Sequence, residues 1–242
     1  MALKPAQIIS NIRANYNTIA KDWDASRFRP SEVKLLLLKT AKPDMIVGDI
    51  GCGNGLILPE LLKRKIKKYY GLDISKNLIA ISKKKYASEI KKGKAEFVVG
   101  NALKLPYVKN KFDLIFSLAV MHHLPGKKNH LKFLQEIKRV LKPGGKAIIF
   151  NWNLLSPATY ERFHIKESLE QAQLKGNEER DLYVGWKATP GQNIRRFIHI
   201  FLPDEMAALA GEVGFSQATI QYYGRLGKKE INGEELVTIL KK

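Results

Sequence analysis

Short apolar runs alternate along this chain with longer stretches whose apolar positions recur every three or four residues. Ile8, Ile9, Ile12 and Tyr16 fall at helical spacing, so residues 5–42 read as helical in two pieces, the first ending near Tyr16–Trp23. The link D-A-S-R-F-R-P holds Arg27, Arg29 and a proline that favours a turn. Ser31 stands where it can cap a second helix over Glu32–Lys39. Met45–Ile50 reads as a buried strand and Leu56–Leu62 as an apolar helix. Further strands are expected at Tyr69–Asp73, Ala95–Val99, Phe112–Ser117 and Lys146–Trp152. Helical patterns separate them over Asn77–Lys85 and Gly126–Leu141, the second stopped by the turn Lys142-Pro143-Gly144-Gly145. Repeated strand–helix alternation predicts a mostly parallel sheet covered on both faces.

Beyond Trp152 the alternation breaks. Residues 157–180 read as a polar, helical insertion and 181–193 as a loop, although the latter contains Tyr183 and Trp186. Ile194–Phe201 alternates like a strand, Pro203–Gly211 reads as a helix, and Ser216–Tyr223 and Glu235–Leu240 as closing strands. One domain is expected, in four segments: a helical cover (1–42), a core (43–152), an insertion forming a lid over the sheet's C-terminal edge (153–202), and a terminal helix with strands (203–242).

Composition adds bounds. A chain of 242 residues can bury one full α/β core. No apolar run is long enough to span a membrane and the first residues lack a secretory pattern, so no membrane partner is expected. Cys52 is the only cysteine, which rules out an internal disulfide and makes a cytoplasmic location the default. The five histidines show no ligand spacing, and no metal site is expected. Lys and Arg number 42 against 23 Asp and Glu, a net charge of +19 that favours nucleic acid or another anionic surface as partner. A lysine-rich solubility adaptation is the bland alternative.

The candidate chemistry starts at V-G-D-I-G-C-G-N-G, Val47–Gly55. Glycines 51, 53 and 55 between a strand and a helix let the backbone take positive φ and approach a ligand, and a helix start offers free N–H groups. Asp73 ends the second strand about 20 residues later, where a carboxylate can accept hydrogen bonds from ribose hydroxyls. Capping the next helix is the competing role for Asp73, and Ser75 competes for that job. A dinucleotide site needs G-x-G-x-x-G, but Leu56 occupies the position of the third glycine.

Asp49, the glycine turn, Asp73, N-A-L-K-L-P from Asn101, F-D-L-I-F-S from Phe112 and R-V-L-K-P-G-G before Lys146 together resemble the class I S-adenosylmethionine-dependent methyltransferases over about residues 40–152. The resemblance implies a Rossmann-like α/β fold with a seven-stranded sheet, mostly parallel, whose last strand inserts antiparallel. It implies S-adenosyl-L-methionine above strands one, two and four. Asp49, Gly51, Cys52, Gly53, Asn54 and Gly55 match the segment that holds the methionine end. Asp73 matches the ribose acid, Ile74 the cover of one adenine face, and Asn101 and Ala102 the pair beside adenine, where the family more often has Asp-Ala. Leu118 closes the set. Y-N-T-I-A-K-D-W-D-A-S-R, S-L-A-V-M-H-H-L and the late D-L-Y-V-G-W-K…R-F-I-H-I-F narrow the likeness to the Trm9/AlkB-homologue-8 type, which esterifies the carboxymethyl group on the wobble uridine of tRNA.

A carboxylate acceptor is already anionic at neutral pH, so the protein has mainly to align it, exclude water and supply hydrogen bonds, best from arginine. On that reading Arg27 and Arg196 are the acceptor clamp, with Arg29 and Arg195 next. Arg195 and Arg196 point to opposite faces of a strand, so at most one enters the site. Tyr16, His123 and His199 orient the acceptor or the base; for His122 and His123 wall packing is the alternative. Tyr183 or Trp186 can stack on a base. tRNA is the implied partner, together with a small activator subunit of the Trm112 type. A small-molecule methyltransferase and a non-catalytic RNA-associated protein that binds the cofactor remain open.

Overall fold

The computed structural model describes residues 3–174, 180–186 and 194–242. Ten α-helices are described in chain order: α1 (Pro5–Thr18), α2 (Ala20–Ser26), α3 (Glu32–Leu38), α4 (Leu58–Lys63), α5 (Lys76–Lys85), α6 (Ala87–Lys91), α7 (Lys127–Val140), α8 (Pro157–Arg162), α9 (Ile165–Leu174) and α10 (Pro203–Val213). The strands are β1 (Ile46–Ile50), β2 (Lys68–Asp73), β3 (Ala95–Val99), β4 (Phe112–Leu118), β5 (Leu141–Trp152), β6 (Asp181–Gly185), β7 (Arg195–His199), β8 (Gln217–Tyr223) and β9 (Glu235–Lys241).

Seven strands form one sheet in the order β3-β2-β1-β4-β5-β9-β8. Every pairing from β3 to β5 is parallel, while β9 runs antiparallel to both β5 and β8. This is the α/β, Rossmann-like sheet anticipated above, including the antiparallel insertion of the final strand. Alternation along the strands splits the core. Ile50 and Ile115 join Phe133 and Ile137 of α7 and Leu209 of α10 on one face. Val47, Tyr69 and Phe116 meet Leu37 of α3 and Leu61 of α4 on the other. At about 25 cal/mol per Å² of apolar area, these two faces dominate the folding energy.

Four element boundaries differ from expectation, each for a local reason. The helix expected from Leu56 starts at Leu58, because Pro59 belongs in a first turn and residues 54–57 complete the glycine turn. The fifth strand starts at Leu141: the K-P-G-G turn is absorbed as an irregularity, pairing jumping from Phe112↔Leu141 to Leu114↔Lys146, with Gly144 at φ +75°. The insertion is two helices, α8 and α9, rather than one, and residues 175–179 of it lie outside the described residues. Residues 181–185, expected as loop, are instead a strand: β6 pairs antiparallel with β7, Val184 opposite Arg196 and Tyr183 opposite Phe197. Residues 187–193 of that expected loop lie outside the described residues.

The β6–β7 hairpin is clad on both faces. Phe197 and Tyr183 pack with Ile8, Ile12 and Tyr16 of α1, whereas Leu182, Val184 and Ile198 pack with Leu154 and Ile165 of the insertion. Asn15 of α1 also donates its side-chain amide to the Arg195 carbonyl. The helical cover and the insertion therefore meet across β7, beside the C-terminal ends of the parallel strands.

Candidate active site

The turn after β1 brings three positive-φ glycines into line: Gly51 (φ +83°), Gly53 (φ +54°) and Gly55 (φ +72°). Gly51 and Cys52 donate their N–H groups to the Leu72 carbonyl, tying the turn to the end of β2. A Cβ on Gly51 would lie 2.1 Å from Val120 Cγ2, so no larger residue fits there. Gly53 N–H donates to Asp73 Oδ2 (2.9 Å) and Ser75 N–H to Asp73 Oδ1 (2.8 Å). Burial pushes the Asp73 carboxyl up, and these backbone donors hold it down in part. Ser75 caps α5 by accepting from Leu78 N–H, which leaves Asp73 free for a ligand.

Above this turn lies a cavity of about 270 Å³. It has the scale of a small-molecule site, so a polymer could present only a single unit at its mouth. Gly51, Gly53, Asp73, Ile74, Asn101, Ala102 and Leu118 line it. Asn101 Oδ1 accepts from Leu103 N–H, which orients its amide N–H₂ away from its own backbone. Four expected cofactor residues stand behind the wall instead. Asp49 is buried and accepts from the Tyr69 hydroxyl at 2.7 Å; burial raises its carboxyl to about 7. Cys52 is buried, its thiol pushed well up by burial. The Asn54 amide donates to Asp24 Oδ1 (2.8 Å) and the Arg27 carbonyl (2.9 Å), pinning the α2–α3 link to the turn. At Gly55 a Cβ would press on Tyr86, so that glycine serves packing.

A second chamber adjoins the first and shares Arg27, Trp152 and Glu235 with it. Arg162, His164, Trp186 and Arg196 complete its polar and aromatic lining. Arg196 is buried, its guanidinium carbon 5.2 Å from the ring centres of both Trp152 and Trp186. Arg27 lies 4.6 Å from the Trp23 ring and 5.8 Å from the Trp186 ring. Among the described residues, Arg196 Nε and Nη1 have no hydrogen-bond partner. Burial and the neighbouring Arg196 both destabilise the Arg27 cation. Two cations in one aromatic-walled chamber make a place for an anion.

Tyr16 and His123 line the first cavity, joined by a 2.8 Å hydrogen bond between the hydroxyl and Nε2. His123 Nδ1 lies 2.7 Å from the Phe197 carbonyl, which must accept; Nδ1 therefore carries the proton and Nε2 accepts from Tyr16. Burial lowers the His123 pKa to about 3, so the ring is neutral. Burial likewise raises the Tyr16 hydroxyl, with the Arg196 charge opposing.

His199 departs from expectation. Its Nδ1 meets Asp181 Oδ1 at 2.5 Å and its Nε2 meets Glu205 Oε1 at 2.9 Å, so both ring nitrogens are engaged away from the two chambers. Arg29 also points elsewhere, to Glu32 at 2.7 Å in an exposed pair, and Arg195 is exposed. His122 is buried beneath the wall, its Nδ1 facing Trp152 N–H. Sequence reasoning overlooked Trp23, Lys34, Trp152 and Glu235, all of which line the first cavity. Lys34 carried a signal, a single cation within E-V-K-L-L-L-L; burial lowers its pKa. Burial raises Glu235 to about 7, and no local pattern marked it.

Comparison with known proteins places this geometry. Residues 48–149 match the family described as a methyltransferase domain. Over 220 residues the chain is 26% identical to the Schizosaccharomyces pombe tRNA (carboxymethyluridine(34)-5-O)-methyltransferase, covering 83% of this chain and 86% of that one. It is 34% identical over 137 residues to mouse tRNA (carboxymethyluridine(34)-5-O)-methyltransferase ALKBH8, which is 57% of this chain but only 19% of that protein. The chain thus spans about a fifth of the length of the mouse relative. Among solved structures, the protein in complex with the Haloferax volcanii Trm112 methyltransferase activator superposes with a TM-score of 0.68 at 15% identity, covering 95% of this chain and 96% of that one, a likeness of fold.

Proposed function

We propose that this chain, a class I S-adenosylmethionine-dependent methyltransferase, esterifies a carboxymethyl-type group on the wobble uridine of tRNA. The observation that carries the reading is the second chamber. It holds a buried guanidinium, Arg196, with N–H groups unused by the described residues, and its guanidinium carbon and that of Arg27 lie 5.2 and 5.8 Å from the Trp186 ring centre. A carboxylate meets both charges, and an aromatic wall suits a pyrimidine ring.

The first cavity fits the cofactor. Gly51 and Gly53 allow close backbone approach, Asp73 offers carboxylate oxygens to the ribose, and Ile74, Asn101 and Ala102 flank the adenine position. Lys34 and Glu235 supply opposite charges for the amino-acid end. When bound, S-adenosylmethionine supplies an electrophilic methyl group on a sulfonium. The protein's own part is placement. Arg196 and Arg27 hold the acceptor anion, and Trp152 lines the passage between the chambers. Tyr16, held by His123, borders the same space. No general base is needed, because a carboxylate nucleophile carries no proton at neutral pH. The neutral His123, its Nε2 already accepting from Tyr16, is a positioning group on this reading.

The relatives' activity on tRNA and the +19 net charge support tRNA over a free carboxylic acid. The test is incubation with methyl-labelled S-adenosylmethionine and bulk tRNA, with and without an activator of the Trm112 type, followed by nucleoside analysis. Label on a wobble uridine, released by mild alkali, is the expected result. Label that appears only on small carboxylic acids would overturn the tRNA assignment while leaving the carboxylate clamp in place.

A further inference from the structure

Two of the five histidines, which show no ligand spacing in the sequence, are brought together by the fold. We propose that His130, His199 and Glu205 form a binding site for one divalent metal ion of the zinc class, separate from the cofactor and acceptor chambers. The three come from different elements: His130 from α7, His199 from the end of β7, and Glu205 from the first turn of α10. One potential ligand atom from each lies within 4.8 Å of the others, the one such group among the described residues.

The surroundings are what a metal site requires. His130 Nε2 lies 2.6 Å from the Leu124 carbonyl, so that nitrogen carries the proton and donates. Its Nδ1 is therefore a bare lone pair, buried and without a hydrogen-bond partner among the described residues. A buried acceptor left unused is costly and calls for an occupant. His199 has a carboxylate, Asp181 Oδ1, on its Nδ1 at 2.5 Å; its Nε2, which meets Glu205 Oε1 at 2.9 Å, gives up its proton when the ion takes that place. A carbonyl behind one imidazole and a carboxylate behind the other are the supports that fix ligand tautomers and raise basicity. Glu205 Oε1 faces His199, while Oε2 is held by Arg180 at 2.8 Å. Phe201 packs edge-on against both imidazoles, keeping the nitrogen side dry.

Two imidazoles and one carboxylate suit Zn²⁺ and related borderline ions, with bonds of about 2.0–2.2 Å and an open fourth position for water. The Glu205 side chain is 22% exposed, which gives the ion a route in. An ion there would clamp α7, β7 and α10 together, and β7 is the strand that also carries Arg196 and Phe197.

The test uses the full, untagged chain after treatment with chelator, titrated with ZnCl₂ by calorimetry and with CoCl₂ by visible absorption. One ion per chain is expected, with the intense bands of four-coordinate Co²⁺ and a higher Tm. His130→Gln should weaken binding about tenfold or more, and so should Glu205→Gln, which sits at the exposed edge and does not depend on core packing. His164→Gln, outside the cluster, should bind like wild type. Failure of the wild-type chain to take up one equivalent, or wild-type-level binding by both His130→Gln and Glu205→Gln, would show that the cluster is only a salt bridge around a protonated His199.

Discussion

At the scale of single residues, the site turns on which polar atoms the protein leaves unused. Arg196 and Arg195 are neighbours in sequence, yet one is buried between two indoles and the other is exposed. Removing a group that contacts a desolvated charge costs about 2–5 kcal/mol, and each 1.4 kcal/mol is tenfold in rate. Arg196→Ala is therefore expected to lower methyl ester formation by about 30-fold or more, with S-adenosylmethionine affinity within about twofold of wild type. Kinetics on tRNA beside a calorimetric cofactor titration check this; equal losses in both would remove the clamp role. His123 gives a pH prediction. Burial places its folded pKa at about 3, below the unfolded value of about 6.5. A depressed histidine contributes stability that is complete above about pH 6.5 and is lost as pH falls toward 3. The stability advantage of wild type over His123→Gln should thus shrink by about 2 kcal/mol between pH 7 and pH 5, measured by urea unfolding.

At the scale of elements, the β1 turn and the end of β2 act as one unit, because Gly53 N–H and Ser75 N–H both bond Asp73. Asp73→Asn removes the charge that would meet two ribose hydroxyls, and its NH₂ faces one of the two backbone N–H donors in place of an acceptor. Hydrogen bonds to charged groups are worth about 1.5–3 kcal/mol. Cofactor affinity should fall by about tenfold or more, and Tm should drop by a few degrees as one buried N–H loses its acceptor. Gly51→Ala acts on the turn itself: a Cβ 2.1 Å from Val120 Cγ2 at φ +83° strains it by about 2 kcal/mol and lowers Tm by roughly 4–8 °C, read in a thermal melt. The β6–β7 hairpin shows the limit of local reading. D-L-Y-V-G has strand alternation, but five residues beside a stretch rich in Gly, Pro and Asn give too weak a signal. Its identity as a strand comes from its partner, β7, and from cladding on both faces.

At the scale of the molecule, the charge of +19 must act on whatever approaches. Lysines crowd the last turn of α5, Lys83–Lys85, where the helix dipole also favours them. If these and the other lysines track an RNA backbone, tRNA affinity should fall steeply with salt, by at least about tenfold between 50 and 200 mM. Filter binding across that range is the measurement, and a flat response would move the contact off the basic surface. No helix among the described residues is long and apolar enough to cross a membrane.

Much of this protein was legible from residue order alone. Periodicity marked the five parallel strands, and V-G-D-I-G-C-G-N-G with Asp73 marked the glycine turn that borders the first cavity, because both signals are local: backbone conformation and strand-end position depend on near neighbours. Which side of the wall each motif residue faces was decided by packing. Gly51, Gly53 and Asp73 face the cavity, whereas Asp49, Cys52, Asn54 and Gly55 support it from behind. Tertiary structure alone joined Arg27 to Arg196 across Trp186, drew Lys34 and Glu235 into one cavity, and moved His199 out of the site to stand beside His130 and Glu205. Those contacts link residues distant in sequence, and no periodicity or spacing rule can encode them. They exist only once the sheet has set its strand order and the hairpin has closed over its end.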